Sequence, residues 1–318
     1  MKELSDRLVH RFVKDFGLPF PIESKELLDY YIELFDREFM TKKKLQMFKD
    51  MIKDFDSEED FYQYRNGIIC QVLEFIENQE SYKEFNQRDI SKLEYPLSGD
   101  NTLKNRSIYS LENSGKIFLS IDLRSANFTV LKNIDRELVK KKNSYIEFIS
   151  EFTDYDYFKF SKNLRQSMLG KLNSKRIAKY AKWLLENKYI LPIIENRILD
   201  RGQIVSYNYD EFLFEVDKEF DFYKIGEILL NTNDLNIKKF LLVKISDKYS
   251  YFVKEFFTDL EDFELRKYVE LVEFKGVDKS VFPQIFKRYF NLSIEERDLY
   301  FTSSLGIPAK YLEPIELD

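Results

Sequence analysis

The first third of the chain alternates between apolar and polar residues with a helical period. Apolar side chains recur every three or four positions across residues 4–13, 27–35, 47–52 and 64–75. This spacing places them on one face of a helix, where the packing of a hydrophobic core is their ordinary use. Residues 1–85 are therefore predicted to form a group of helices.

The pattern changes after a polar stretch at residues 86–114, whose proline, glycine, asparagine and serine residues predict loops and turns. Residues 117–121 then form a short continuous apolar run, which predicts a buried strand. Asp122 ends this run, and a helix is predicted to follow from Ala126. A carboxylate at the end of a buried strand is either a helix cap or a ligand, and both interpretations stay open at this point.

A third pattern occupies residues 203–216, where β-branched and aromatic residues surround an adjacent acidic pair. Such a segment predicts two strands joined by a tight turn, with Asp210 and Glu211 at its tip. Neighbouring carboxylates raise each other's pKa, so a bound cation is the simplest reason to keep them together. The tip is therefore a candidate platform for Mg²⁺.

Helical and strand patterns alternate in the last third of the chain. Residues 237–257 predict a second hairpin, residues 268–276 predict a further strand, and Pro283 lies near the start of a short predicted helix. No catalytic motif is visible in this part, so a structural role or a grip on a long substrate is expected for it.

These patterns together predict an α+β fold built round an antiparallel sheet. We expect a helical N-terminal domain over residues 1–114 and a central sheet with a short helical insertion over residues 115–217. A mixed α/β part over residues 218–318 is expected to complete the sheet or to grip the substrate.

Composition narrows the chemistry that such a fold can support. The net charge of −6 gives no overall attraction to nucleic acid, so a polyanion site must be a local basic patch. One cysteine, Cys70, and one histidine, His10, exclude an internal disulfide and the usual zinc sites, and they leave no support for a histidine-based triad. A metal ion would therefore be held by oxygen ligands, as Mg²⁺, Mn²⁺ or Ca²⁺ are.

The same sequence has no visible secretion signal and no apolar run long enough to span a membrane. No membrane partner is therefore expected. The expected location is the cytoplasm, or the host cytoplasm if the chain is viral.

Basic residues are concentrated in residues 161–188, which contain eight lysines and arginines against one acid, Glu186. A basic helix directed at phosphates is the functional interpretation of this segment. A solvated helix is the alternative, and composition alone does not separate the two.

Three elements follow one another along the chain: a strand that ends in an acid, then a basic helix, then an acidic hairpin. Their order resembles that of the palm and fingers motifs of family A polymerases, the DNA polymerase I type. The match is closest at residues 209–216, YDEFLFEV, where the family has His-Asp-Glu followed by apolar residues and often Phe-Glu-Val. Arg165, Leu169 and Gly170 keep the spacing of the lysine, large apolar residue and glycine of the family's fingers helix. The resemblance covers roughly residues 115–217.

The resemblance implies a palm sheet and metal-dependent transfer of a nucleotide from a nucleoside triphosphate to a nucleic-acid 3′ end, as in DNA replication or repair, including that of phages. Asp122 and Asp210 would hold two ions of Mg²⁺ or Mn²⁺, with Glu211 in support. Two divalent ions are the usual means of stabilising the attacking and leaving oxygens in such a transfer.

The resemblance also implies where the substrates would bind. Lys162 and Arg165 would hold the triphosphate, Leu169 would cover the base and Asn127 would lie at the sugar. The remaining basic residues of the segment would follow the backbone of the nucleic acid: Lys171, Lys175, Arg176, Lys179 and Lys182.

The chain differs from the family pattern at several aligned positions. Asn127 replaces the glutamate that selects deoxyribose, Asn173 replaces the stacking tyrosine, Ser161 replaces an arginine and Tyr209 replaces the histidine. The fingers interval is also shorter, so an accessory protein that completes the fingers or thumb is an expected partner. Two alternatives remain: a primase or terminal transferase that uses ribonucleotides, and a non-catalytic nucleic-acid-binding protein with a relic palm.

Overall fold

The computed structural model describes residues 4–99, 103, 105–221, 223–229, 232–246, 248–257 and 271–317. The α-helices of this part are α1 (Asp6–Phe16), α2 (Lys25–Phe39), α3 (Thr41–Ile52), α4 (Glu58–Glu77), α5 (Glu80–Gln87), α6 (Ala126–Ile134), α7 (Tyr145–Ile149), α8 (Asp156–Phe160), α9 (Lys162–Leu169), α10 (Ser174–Leu184), α11 (Leu191–Glu195), α12 (Tyr223–Ile228) and α13 (Phe282–Tyr289). The strands are β1 (Ile117–Leu123), β2 (Ile204–Tyr207), β3 (Glu211–Glu215), β4 (Leu235–Lys244), β5 (Phe252–Phe256), β6 (Val272–Lys275), β7 (Tyr300–Thr302) and β8 (Pro308–Lys310).

The elements predicted from periodicity are confirmed. Helices α1 to α5 fill the N-terminal part, and α5 extends to Gln87, two residues into the predicted loop. Among the described residues of 88–114 there are only two short 3₁₀ turns, Ile90–Lys92 and Leu111–Asn113. The two predicted hairpins are the pairs β2–β3 and β4–β5. The further strand is β6, although residues 268–270 of the predicted segment lie outside the described residues. Where the chain is described, no helix has both the length and the apolar character needed to cross a bilayer.

Helix α4 begins with a reciprocal cap. The Ser57 hydroxyl oxygen accepts the Asp60 backbone N–H at 3.1 Å, and the Asp60 carboxylate accepts the Ser57 backbone N–H at 3.0 Å. Two backbone donors that a helix start leaves unsatisfied are thereby paired. Ser24 occupies the same position before α2 but makes no such side-chain bond.

Ser57→Ala should therefore lower the free energy of unfolding by about 1 kcal/mol, because the helix start loses an acceptor. Ser24→Ala is the matched control and should change that free energy by less than about 0.5 kcal/mol. Urea unfolding of both variants, fitted with one shared dependence of the unfolding free energy on urea concentration, measures the difference. Equal losses in the two variants would contradict a stabilising role for the Ser57 cap.

Six strands of the described chain form one sheet in the order β2-β3-β1-β4-β5-β6, and every neighbouring pair is antiparallel. Strands β1 and β2 run parallel with β3 between them, and β3 and β4 run parallel with β1 between them. Helices lie in both connections, so the first four strands form two interleaved split β-α-β units. The chain is thus mixed α/β with an antiparallel sheet, which confirms the predicted α+β class.

The two faces of the sheet have different environments. Leu119, Ile121 and Phe214 point to the face that the helices cover, and they belong to the main hydrophobic cluster. That cluster runs from α1 to α13, so the three predicted segments share a core. The predicted division into domains at residues 114 and 217 stays a prediction.

The opposite face carries Phe118, Ser120 and Asp122 of β1, because side chains alternate along a strand. Part of this face is a smaller apolar cluster formed mainly by side chains of the sheet itself, including Phe118, Phe240 and Phe252. The polar residues at the Asp122 end remain beside a cavity. The alternation of β1 therefore sends Leu119 and Ile121 into the main core and Asp122 toward the open face.

A buried ion pair fixes the helices that lie under α9. Arg65 on α4 donates two hydrogen bonds of 3.1 Å to Asp15 on α1, and the Tyr157 hydroxyl on α8 donates to the same carboxylate. Helix α9 packs against α1 and α4. The network thus fixes the helices against which α9 packs. Helix α9 carries two of the predicted cationic site residues.

Candidate active site

The tip of the β2–β3 hairpin is tied directly to the end of β1. Asp122 and Glu211 are cross-strand partners, and the Leu123 backbone N–H donates to the Asp210 carbonyl oxygen at 2.8 Å. The Asn208 side-chain oxygen accepts the backbone N–H groups of Asp210 and Glu211 at 3.0 and 2.9 Å. An asparagine that closes its own turn in this way fixes the turn. The three acidic residues are therefore held at one end of the sheet.

Helix α9 brings two cations to the same place. Lys162 lies in its first turn, and Arg165 lies one turn later with its guanidinium carbon 5.2 Å from the centre of the Tyr145 ring. The Tyr145 hydroxyl donates to the Phe158 carbonyl oxygen at 3.1 Å, which fixes the ring under the guanidinium. Burial lowers the pKa of Arg165, but a guanidinium remains charged. The guanidinium of Arg165 is thus a partly desolvated cation whose position is fixed by the Tyr145 ring.

The turn between β1 and α6 contributes the remaining predicted residue. Asn127 lies in the first turn of α6, and Ser125 precedes that helix with a φ of 52°. A left-handed serine is uncommon and costs free energy, and such residues cluster at functional sites. This turn places Asn127 beside the cavity that Asp122 lines.

A single cavity of about 410 Å³ joins these elements. Its volume is in the range of small-molecule binding sites. Seven residues that were predicted from sequence line it: Asp122, Asn127, Lys162, Arg165, Leu169, Asp210 and Glu211. They come from β1, α6, α9 and the β2–β3 hairpin, so four separate segments converge on one site.

The carboxylates of this cavity are electrostatically unfavourable without a cation. Burial, and then the charge of Asp210, raise the pKa of Asp122 to about 7. Burial, and then the charge of Glu211, raise the pKa of Asp210. The Asn236 amide, 3.4 Å from an Asp122 oxygen, and the charge of Lys162 oppose the shift at Asp122. These effects only partly offset the cost of burial.

Glu211 is held differently from the two aspartates. The Ser120 hydroxyl donates to Glu211 Oε1 at 2.6 Å, and Lys254 Nζ is 3.9 Å from the same oxygen. One oxygen of this carboxylate is thus already engaged within the sheet. The arrangement fits a supporting role for Glu211 beside Asp122 and Asp210.

The donor set fits Mg²⁺ or Mn²⁺ held by Asp122 and Asp210 together with a ligand. Asp122 and Asp210 are half-buried carboxylates that provide hard oxygen donors, and the charge of Lys162 only partly offsets the effect of their burial. Among the described residues, no group of three or more His, Cys, Asp or Glu side chains is arranged to hold a metal ion. Mg²⁺ is usually bound by one or two carboxylates plus substrate phosphates, so a two-carboxylate site suits it.

Some predicted residues occupy positions that restrict their roles. Leu169 lines the cavity, but only 1% of it is exposed and it packs in the core, so it offers little surface to a base. Arg176 donates to the carbonyl oxygens of Phe85 and Arg88 at 3.0 and 2.6 Å. Its guanidinium therefore anchors α10 to the C-terminal end of α5.

The other predicted nucleic-acid contacts lie on or beside α10 and are not among the residues that line the cavity. Lys171, Lys175 and Lys179 are exposed. Lys182 Nζ lies between two aromatic rings, 5.1 Å from the centre of Tyr95 and 4.9 Å from that of Tyr207. The three exposed lysines remain available to a polyanion, whereas Lys182 has a structural contact.

The cavity also contains residues that the sequence analysis missed. They lie on β1, β4, β5 and β6 and in the segment before β1: Tyr109, Ser120, Asn236, Lys238, Lys254, Phe256, Glu273 and Lys275. The polar lining positions alternate, with Asn236 and Lys238 on β4 and Glu273 and Lys275 on β6, and this period of two is a signal for a polar sheet face. The last third of the chain thus contributes directly to the site.

The fold and site together define a mixed α/β protein with paired carboxylates at one end of a polar cavity on an antiparallel sheet. No family model, curated protein or solved structure matches the chain.

Proposed function

We propose that this protein is a metal-dependent nucleotidyltransferase that adds a nucleotide from a nucleoside triphosphate to a nucleic-acid 3′ end. One observation carries the proposal: the acids of β1 and the β2–β3 hairpin and the cations of α9 line a single cavity. In this interpretation the antiparallel sheet is a polymerase-like palm, and α9 is a reduced fingers helix.

The reaction requires the 3′-hydroxyl oxygen to attack the α-phosphorus of the incoming nucleotide. The O3′–Pα bond forms, the bond from Pα to the bridging oxygen breaks, pyrophosphate leaves and the hydroxyl proton passes to solvent. Asp122 and Asp210 would bind divalent ions, which supply charge stabilisation to the attacking and leaving oxygens. The residues of the chain orient the two substrates about this point.

Lys162 and Arg165 would bind the triphosphate from the helical side of the cavity. A fixed cation beside the leaving phosphates stabilises the negative charge that develops there. Tyr145 limits the movement of Arg165, so less reorganisation is needed as the charge develops. Ser120 and Lys254 hold Glu211 so that Asp122 and Asp210 remain the principal metal ligands.

Ribonucleotide use is the second candidate, and Asn127 is the residue that favours it. Asn127 lines the cavity at the position where the resemblance implies the sugar. An asparagine is shorter than the glutamate of the family pattern, so it leaves more room for a 2′-hydroxyl. A primase or a terminal transferase would fit this feature.

A primer-extension assay tests the proposal. A 5′-labelled strand, with and without a template, is incubated with Mg²⁺ and with either deoxyribonucleotides or ribonucleotides. We expect products longer by at least one nucleotide that require the divalent ion and disappear with EDTA. No extension with any combination, in protein that is shown to be folded, would overturn the proposal in favour of a binding role.

A further inference from the structure

The end of the cavity opposite α9 is built from three lysines and a glutamate. Lys238 of β4 is the cross-strand partner of Ser120, and Lys254 of β5 is the partner of Glu273 on β6. Lys275 follows on β6 and donates to Glu273 at 2.6 Å. Side chains that are paired in this way share a face of the sheet, so this basic end adjoins the acidic end.

Lys254 is the central residue of the basic end, and only 5% of it is exposed. Its side chain lies over the Phe240 ring, with Nζ 4.6 Å from the ring centre. Nζ is 3.9 Å from Glu211 Oε1 and 3.8 Å from Glu273 Oε2. Both distances exceed those of direct hydrogen bonds to an ammonium.

The Lys254 ammonium donates no direct hydrogen bond to any residue that the structure describes. A buried charged donor is costly unless it is both paired and hydrogen-bonded. Burial lowers the pKa of Lys254, whereas the charges of Glu211 and Glu273 act in the opposite direction. A ligand oxygen that accepts from this ammonium would satisfy a donor that is already held at the floor of the cavity.

The charge of the whole cavity points to an anion at this end. Five cationic side chains and four carboxylates line it among the described residues. Two of the cations, Lys162 and Arg165, lie on α9 beside the proposed triphosphate position. Once divalent ions neutralise the aspartates, the three lysines of the sheet still exceed the charges of Glu211 and Glu273 by one. An excess of positive charge in a partly enclosed site attracts a further anion.

We propose that Lys238, Lys254 and Lys275 form a second phosphate-binding subsite, separate from the triphosphate position on α9. It binds either a phosphodiester of the strand whose 3′ end is extended or the 5′-phosphates of a first nucleotide that begins a strand. Tyr109, half-buried against Phe252 with their ring centres 5.7 Å apart, covers this end. The inference rests on the proposed function, because that function supplies the strand or nucleotide.

Binding of a 5′-fluorescein-labelled single-stranded decamer, measured by anisotropy in Mg²⁺ with no nucleotide present, tests the strand source without catalysis. Lys275→Gln and Lys238→Gln should each weaken binding roughly 3- to 10-fold, because each removes a charge-assisted contact to phosphate. Each should also reduce the magnitude of the slope of log K against log salt by about 0.7. Lys83→Gln, the same change on exposed α5, should alter neither quantity.

A titration with a non-hydrolysable nucleoside triphosphate in Mg²⁺ separates the two sources. If the subsite holds a strand phosphate, one nucleotide binds to the wild type and to each variant, and only decamer binding weakens. If it holds the phosphates of a first nucleotide, the wild type binds two and the variants bind one. Both outcomes support the subsite.

Lys254→Met keeps the length of the buried side chain and should give the largest loss if it folds. Lys238 and Lys275 are less buried than Lys254, so Lys238→Gln and Lys275→Gln provide the test if Lys254→Met does not fold. Unchanged salt slopes and an unchanged nucleotide count in Lys238→Gln and Lys275→Gln would overturn the inference. If the wild type also extends primers, the proposed function survives that result. If the slopes change but no protein extends a primer, the subsite stands and the proposed function fails.

Discussion

Asp210→Asn should lower the rate of nucleotide addition by about 10³-fold, and Asp122→Asn should have a similar effect. Each change replaces a charged oxygen ligand with a neutral amide of the same size. The ions that these ligands hold supply several kcal/mol of charge stabilisation in the transition state, and each 1.36 kcal/mol corresponds to a factor of ten in rate. Single-turnover extension at saturating nucleotide measures the loss.

Glu215→Gln is the matched control for these variants. Glu215 lies at the other end of β3, where it pairs with Lys116 at 3.1 Å, and it is not among the residues that line the cavity. The same carboxylate-to-amide change there should alter the rate by less than about twofold. A large loss in Glu215→Gln, or full activity in Asp210→Asn, would show that the paired aspartates are not the catalytic metal ligands.

The acidic end of the site was predictable because each of its parts has a local sequence signal. Asp122 ends an apolar run, and Asp210 follows Asn208 at the turn of an aromatic hairpin. Neither signal shows that the two acids meet. That follows from strand order, since β1 and β3 are neighbours and the Leu123 N–H binds the Asp210 carbonyl oxygen. The resemblance to the polymerase motifs implies this pairing.

The basic end was not predictable from the same patterns. A strand alternates its side chains, but the sequence alone does not decide which of its two faces lies toward the site. Lys238 and Lys239 are adjacent on β4, yet Lys238 lines the cavity and Lys239 donates to the Lys218 and Phe220 carbonyl oxygens on the other side. The register of β4 with β1, in which Lys238 is the partner of Ser120 and Lys239 that of Leu119, makes the difference.

Arg176 illustrates a contact that a local charge pattern leaves out. Its place in a basic helix predicted a contact with nucleic acid. The structure shows that its guanidinium donates to the Phe85 and Arg88 carbonyl oxygens, which are distant in sequence. Charge periodicity cannot reveal such a contact, because main-chain acceptors leave no compositional signal.

Asp122→Asn should also stabilise the protein at pH 8 when no divalent ion is present. Burial and Asp210 raise the pKa of Asp122 to about 7, above the value of about 3.9 expected in the unfolded chain. Between these two values the folded state binds more protons than the unfolded state, so stability falls as pH rises. The full loss, reached above pH 7, is at most about 4 kcal/mol. An asparagine has no charge to desolvate and avoids this loss.

Urea unfolding in EDTA at pH 5 and pH 8 measures this effect. The advantage of Asp122→Asn over the wild type should be largest at pH 8 and smaller at pH 5, where Asp122 retains its proton in the folded state. Adding Mg²⁺ at pH 8 should stabilise the wild type more than the variant, because an ion that binds only the folded state raises stability by mass action. Asp217→Asn, a change at an exposed carboxylate just after β3, should show neither trend. A wild type that is as stable as Asp122→Asn at pH 8 in EDTA would mean that nearby groups already compensate the buried charge, and the electrostatic argument for a cation at this site would fail.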